Sequence, residues 1–124
     1  MKTSPLKAVY SCAIMLALSL AMAATTMAAD LAGTYKCDGG GGSGDKYTGT
    51  VEIAKKGDTY TLTWKIGDDS YTGLGILQGD VLAVSFYGSM SGIVVYKVES
   101  DSKLVGKWAS TKGDGTLSDE TLTK

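Results

Sequence analysis

The chain has 124 residues, with 12 basic and 13 acidic side chains and a net charge of −1. Every base is a lysine; arginine, histidine and asparagine are absent, and Pro5 is the only proline. This composition excludes Ser–His–Asp and Cys–His pairs, imidazole metal ligands, guanidinium clamps on phosphate and N-glycosylation.

Lys2 and Lys7 precede an apolar stretch from Ala13 to Met22, which is followed by small residues as far as Ala29. That is the pattern of a secretory signal peptide over residues 1–29, with cleavage after 23 or 28. The apolar stretch is too short for a hydrocarbon core that needs roughly 20 residues, so no stable membrane insertion is expected. The expected location is secreted or periplasmic, with residues 30–124 as a single domain. Without Lys2 and Lys7 that domain carries ten lysines and thirteen acids, net −3. The charge is spread evenly and forms no basic stripe, which argues against a nucleic-acid partner. Cys37 is the domain's one thiol, so no internal disulfide is available. It is read as a buried small hydrophobe, with an intermolecular disulfide as the alternative.

Period-two alternation begins at Leu31–Cys37 and continues at Tyr47–Ile53 and Tyr60–Ile66. In the last of these, Tyr60, Leu62, Trp64 and Ile66 face one way and Thr61, Thr63 and Lys65 the other. Further strands are predicted at Ser70–Leu77, Val81–Tyr87, Gly92–Val98, Lys103–Ala109 and Asp119–Thr123. Gly57-Asp58, Gly67-Asp68 and Gly79-Asp80 between them are hairpin chemistry. No connection is long enough for a parallel crossover. The fold class is therefore all-β: a small eight-stranded antiparallel up-and-down barrel of calycin type, with a flattened sandwich as runner-up. Gly33, Gly49, Gly73, Gly75 and Gly106 share the face of Tyr35, Tyr47, Tyr71 and Trp108. Alternation of small and large inward residues suits a narrow barrel.

Gly39, Gly41 and Gly44 satisfy the spacing of a dinucleotide loop, but strands flank them on both sides where that loop needs a helix. The tract is expected to be a flexible loop, the longest connection, near a barrel mouth. Asp68-Asp69 and Asp119-Glu120 are adjacent carboxylates; neighbours on a strand face opposite ways, so Asp119 and Glu120 do not form an acid–base pair. Asp114, Asp119 and Glu120 lack EF-hand spacing. These acids are read as surface groups, and no metal, cofactor or catalytic residue is expected. Tyr35, Tyr47, Trp64, Tyr71, Tyr96 and Trp108 have two open uses: filling the barrel, or lining a small apolar pocket.

The frame Leu31–Tyr35, Tyr47–Val51, Tyr60–Gly67, Gly73–Gly79, Val95-Tyr96 and Leu104–Trp108 resembles that of small exported bacterial proteins labelled fibronectin-binding. The resemblance covers about Leu31 to Leu122. It implies an exported, non-enzymatic binding protein whose partner is a host extracellular matrix protein such as fibronectin. The frame is also similar to avidin and lipocalin barrels. Tyr35 stands where those have tryptophan, so biotin or retinoid-type binding does not carry over. Surface binding to a matrix protein is the first expectation, with Lys36, Lys65 and Lys107 mattering and no internal cavity. The second is a carrier of a small apolar ligand, which requires a cavity lined by Trp64 or Trp108. A hydrolase using two convergent carboxylates is third.

Overall fold

A computed structural model describes residues 30–41 and 44–124. The signal peptide expected over residues 1–29 lies outside the described residues. Eight strands follow in order: β1 (Gly33–Gly41), β2 (Gly44–Lys56), β3 (Thr59–Ile66), β4 (Asp69–Gln78), β5 (Val81–Tyr87), β6 (Gly92–Ser100), β7 (Lys103–Ser110) and β8 (Ser118–Thr123). Each pairs antiparallel with the next, and β8 pairs with β1, closing the barrel. The up-and-down barrel expected from the alternation is what forms; the sandwich does not. Closure leaves no unpaired sheet edge.

Local chemistry explains the short connections. Gly57, Gly67 and Gly79 each take a positive φ near 60°, and each is followed by aspartate. A glycine with positive φ at the first central position matches a type II′ hairpin turn, whose twist suits the flanking strands. The Gly39–Gly44 tract departs from its expected role as the longest loop. β1 continues through Gly41, and β2 starts at Gly44, opposite it in the ladder. Glycines show no alternation, so the run carries no strand pattern, yet backbone pairing needs no side chain. The longest connection among the described residues is instead the one between β7 and β8.

Inward positions divide the barrel into two halves. At the end bounded by the β2–β3, β4–β5 and β6–β7 turns, Leu31, Ile53, Leu62, Leu82, Leu104 and Leu122 are at most 2% exposed. Burial of each such side chain is worth roughly 1.5–3 kcal/mol. Tyr35 seals this end: its hydroxyl donates to the Leu31 carbonyl at 2.8 Å, and the Lys124 ammonium lies 5.3 Å from its ring centre. The opposite half is aromatic, holding Tyr47, Trp64, Tyr71, Phe86 and Trp108.

The inward glycines make room for those rings. Gly106 pairs with Tyr96, and a Cβ at Gly106 would stand 2.5 Å from the Tyr96 ring. Gly39 pairs with Tyr47, and a Cβ there would stand 2.0 Å from the ring. At Gly73 it would meet the Trp64 ring at 2.7 Å. Each ring occupies the space a side chain would take, which is why glycine sits where it otherwise weakens a strand.

Gly106→Ala should therefore lower stability by about 1–3 kcal/mol through overpacking against Tyr96. Outward Lys107→Ala, which removes only an exposed ion pair with Asp119, should cost less than about 1 kcal/mol. Urea unfolding of both variants measures the contrast; equal midpoints would contradict this account of the glycines.

Candidate functional site

On β8, Ser118, Glu120 and Leu122 face inward and Asp119 faces out. Glu120 is thus an interior carboxylate, only 4% exposed. The expectation that the acids are surface groups fails here. It holds for Asp68, Asp69, Asp114 and Asp119, which are exposed. Glu120, Asp119 and Asp114 do not converge, and no cluster suited to a metal ion occurs among the described residues.

Ladder register explains how a carboxylate survives inside. Glu120 pairs with Gly39 on β1 and with Gly106 on β7. Beyond those glycines, in the same row, lie Tyr47 on β2 and Tyr96 on β6. With no side chain between, each tyrosine reaches across its glycine to the carboxylate. The Tyr47 hydroxyl donates to Glu120 Oε1 at 2.9 Å, and the Tyr96 hydroxyl donates to Oε2. Trp64 Nε1 completes the set, donating to Oε2 at 3.2 Å from the ring that lies over Gly73. Three donors on two acceptor oxygens supply what a buried carboxylate needs in place of water.

Titration behaviour follows from this geometry. Burial first, then the charge and hydrogen bond of Glu120, hold the phenols of Tyr47 and Tyr96 well above the ordinary tyrosine value. Both therefore remain donors at neutral pH. Burial and then the Glu120 charge also push the Cys37 thiol up. Cys37 is fully buried, so the intermolecular disulfide is not accessible to it in this fold. At the sealed end, burial and then the Asp30 and Asp101 carboxylates raise Tyr35 to about 12.

Above Glu120 opens a cavity of about 210 Å³. Tyr47, Trp64, Tyr71, Phe86 and Trp108 form its walls, with Ile66 and Val94 between them, and Asp45 and Met90 at the rim. The rings meet edge to face: Phe86 to Trp108 at 6.1 Å and 81°, Tyr71 to Phe86 at 6.2 Å and 88°, and Tyr47 to Trp108 at 6.3 Å and 63°. Among the described residues Trp108 Nε1 is buried without a hydrogen-bond partner, although the indole exerts a minor opposing pull on the Tyr47 phenol. A buried donor left unpaired costs about 1–3 kcal/mol, which an acceptor on a bound molecule would recover.

The six aromatics singled out in the sequence separate into three roles. Tyr47, Trp64, Tyr71 and Trp108 line the cavity. Tyr96 is fully buried and holds Glu120 without lining the space. Tyr35 is a correction: it seals the other end of the barrel, because period two assigns a face but not a height along the axis. Glu120, Phe86 and Met90 were not anticipated. The signal for Glu120 was present, since it is in phase with Leu122 on the inward face of β8.

No family model matches the chain, and no curated protein matches it. Solved structures do. A redesigned β-barrel superposes with a TM-score of 0.67 at 17% identity, covering 76% of this chain and 90% of that one. The redesigned barrel mFAP1, bound to DFHBI, gives 0.62 at 15% identity, covering 76% and 94%. A de novo designed fluorescence-activating β-barrel gives 0.60 at 17%, covering 75% and 92%. The likeness is one of fold.

An alkaline titration tests the placement of the tyrosines. In the unfolded chain a phenol ionises near 10, whereas Tyr35 in the fold ionises near 12. The native state holds that proton more tightly, so stability is unaffected below pH 10 and falls as pH rises toward 12. Tyr47 and Tyr96 act in the same direction. The phenolates of Tyr47 and Tyr96 should appear only together with loss of the far-ultraviolet signal; their formation inside an intact sheet would contradict the burial.

Proposed function

We propose that this protein is an exported, non-enzymatic carrier of a small, largely apolar ligand held inside the barrel. The observation that carries the reading is the aromatic cavity with both Trp64 and Trp108 in its wall and a polar floor at Glu120. A surface binder requires no such space, and a core built only for stability would fill it, since voids weaken packing. The cavity combines apolar walls with a few convergent polar groups, the general form of a small-molecule site. It is lined by residues of every strand from β2 to β8, so the closed barrel positions it. Among neighbours of the same fold, mFAP1 holds a small molecule, DFHBI.

The hydrolase reading finds less support. The cavity's two carboxyl groups differ in placement, with Glu120 engaged by three donors on the floor and Asp45 exposed at the rim. A matrix-protein partner keeps one observation in its favour. Leu74, Ile76, Ile93 and Val95 are 45–62% exposed on the outer faces of β4 and β6, flanking β5, and exposed apolar groups of this kind mark protein contacts. The lysines expected to matter for that partner are less telling: Lys36 and Lys107 are engaged with Asp38 and Asp119 on the surface.

Filling the cavity separates carriage from folding. Val94→Phe adds a ring to the cavity wall, at a cost to stability of about 1–3 kcal/mol. Native mass spectrometry of protein purified from its own source should show a co-purifying small molecule in the wild type and its loss in Val94→Phe. A wild-type protein that carries nothing, and whose tryptophan fluorescence responds to no small apolar compound, would contradict the carrier reading.

A further inference from the structure

We infer that the cavity selects an apolar organic cation, a quaternised or protonated nitrogen on a hydrocarbon or aromatic body, with the nitrogen towards Glu120. The inference rests on the carrier reading and adds the sign of charge the site accepts.

The floor supplies the first reason. Glu120 is buried among neutral donors only, two phenols and an indole. The ion pairs among the described residues join Lys36 to Asp38, Lys97 to Asp80, Lys103 to Glu99 and Lys107 to Asp119, all on the surface. Hydrogen bonds stabilise the carboxylate but leave its charge uncompensated, and a buried charge is held best by an opposite one. Both oxygens face donors, and Glu120 still contributes to the cavity lining.

The walls supply the second. Tyr47, Trp64, Tyr71, Phe86 and Trp108 surround the space, and an aromatic enclosure attracts a cation through the ring quadrupole. Among the described residues no lysine lines the cavity. The mouth supplies the third. Its turns and strand ends carry Asp45, Asp68, Asp69, Asp114 and Asp119 against Lys46, Lys65 and Lys112, so the approach is biased towards positive charge. A carboxylate-bearing lipid would meet Glu120 with no counter-charge and lose its own hydration.

Three two-ring probes of similar shape test this: N-methylquinolinium as cation, 1-methylnaphthalene as neutral isostere and 1-naphthoate as anion. Each is titrated into the wild-type protein by calorimetry, with tryptophan fluorescence as a second readout. The cation should bind at least roughly tenfold more tightly than the neutral isostere, and the anion most weakly. Glu120→Gln should weaken the cation by a larger factor than the neutral probe, narrowing the margin between them. If Glu120→Gln does not fold, the wild-type ranking decides alone. A neutral or anionic probe that binds as tightly as the cation overturns the inference and leaves the carrier reading standing. A cation preference undiminished in a folded Glu120→Gln protein also overturns it. Failure of all three probes to bind overturns both.

Discussion

A carboxylate inside a β-barrel is the constraint from which the rest of this structure follows. Glu120 cannot be left without partners in an apolar interior, and among the described residues no lysine forms an ion pair with it. Its partners must come from across the barrel, and the row that holds it is arranged for that. Tyr47, Gly39, Glu120, Gly106 and Tyr96 are consecutive ladder partners on β2, β1, β8, β7 and β6. Each glycine removes the side chain that would stand between tyrosine and carboxylate. Trp64 arrives from β3 over a third glycine, Gly73.

The same arrangement explains why the barrel is hollow at one end. Towards the turns that follow β2, β4 and β6, leucines and isoleucine pack to full burial around Tyr35. Towards the other end, three aromatic side chains are committed to holding Glu120 and cannot also fill the space above it. The remaining rings, Tyr71, Phe86 and Trp108, meet edge to face around that space, leaving about 210 Å³. The packed core and the cavity thus draw on different halves of one sheet. The sealed half secures the fold, and the aromatic half bears polar groups that an interior built only for packing would avoid.

Much of this was legible from residues alone. All eight strands follow from alternation, because one face of each strand must be buried, and three hairpins follow from Gly-Asp pairs whose glycines adopt positive φ. Two things were harder to read. The Gly39–Gly41 segment shows no alternation, so it resembles a loop, although pairing with β2 and β8 makes it a strand. Glu120 belongs to a residue type almost always found at the surface, and only its phase with Leu122 marks it as inward. Its importance depends on register, which brings Gly39 and Gly106 to either side. Alternation also could not separate Tyr35 at the sealed end from Tyr47 and Trp108 at the mouth, since height along the barrel is fixed by strand stagger.

The central claim is that Glu120 and the rings around it act as one hydrogen-bonded unit. A double-mutant cycle between Tyr47→Phe and Glu120→Gln, read by denaturant unfolding, tests it most directly. Hydrogen bonds to a charged group are worth about 1.5–3 kcal/mol, and coupled partners depart from additivity on that scale. The structure predicts a coupling of at least about 1 kcal/mol, with Tyr47→Phe costing less once Glu120 is neutral. Strict additivity of the two substitutions would show that the carboxylate does not organise the barrel interior.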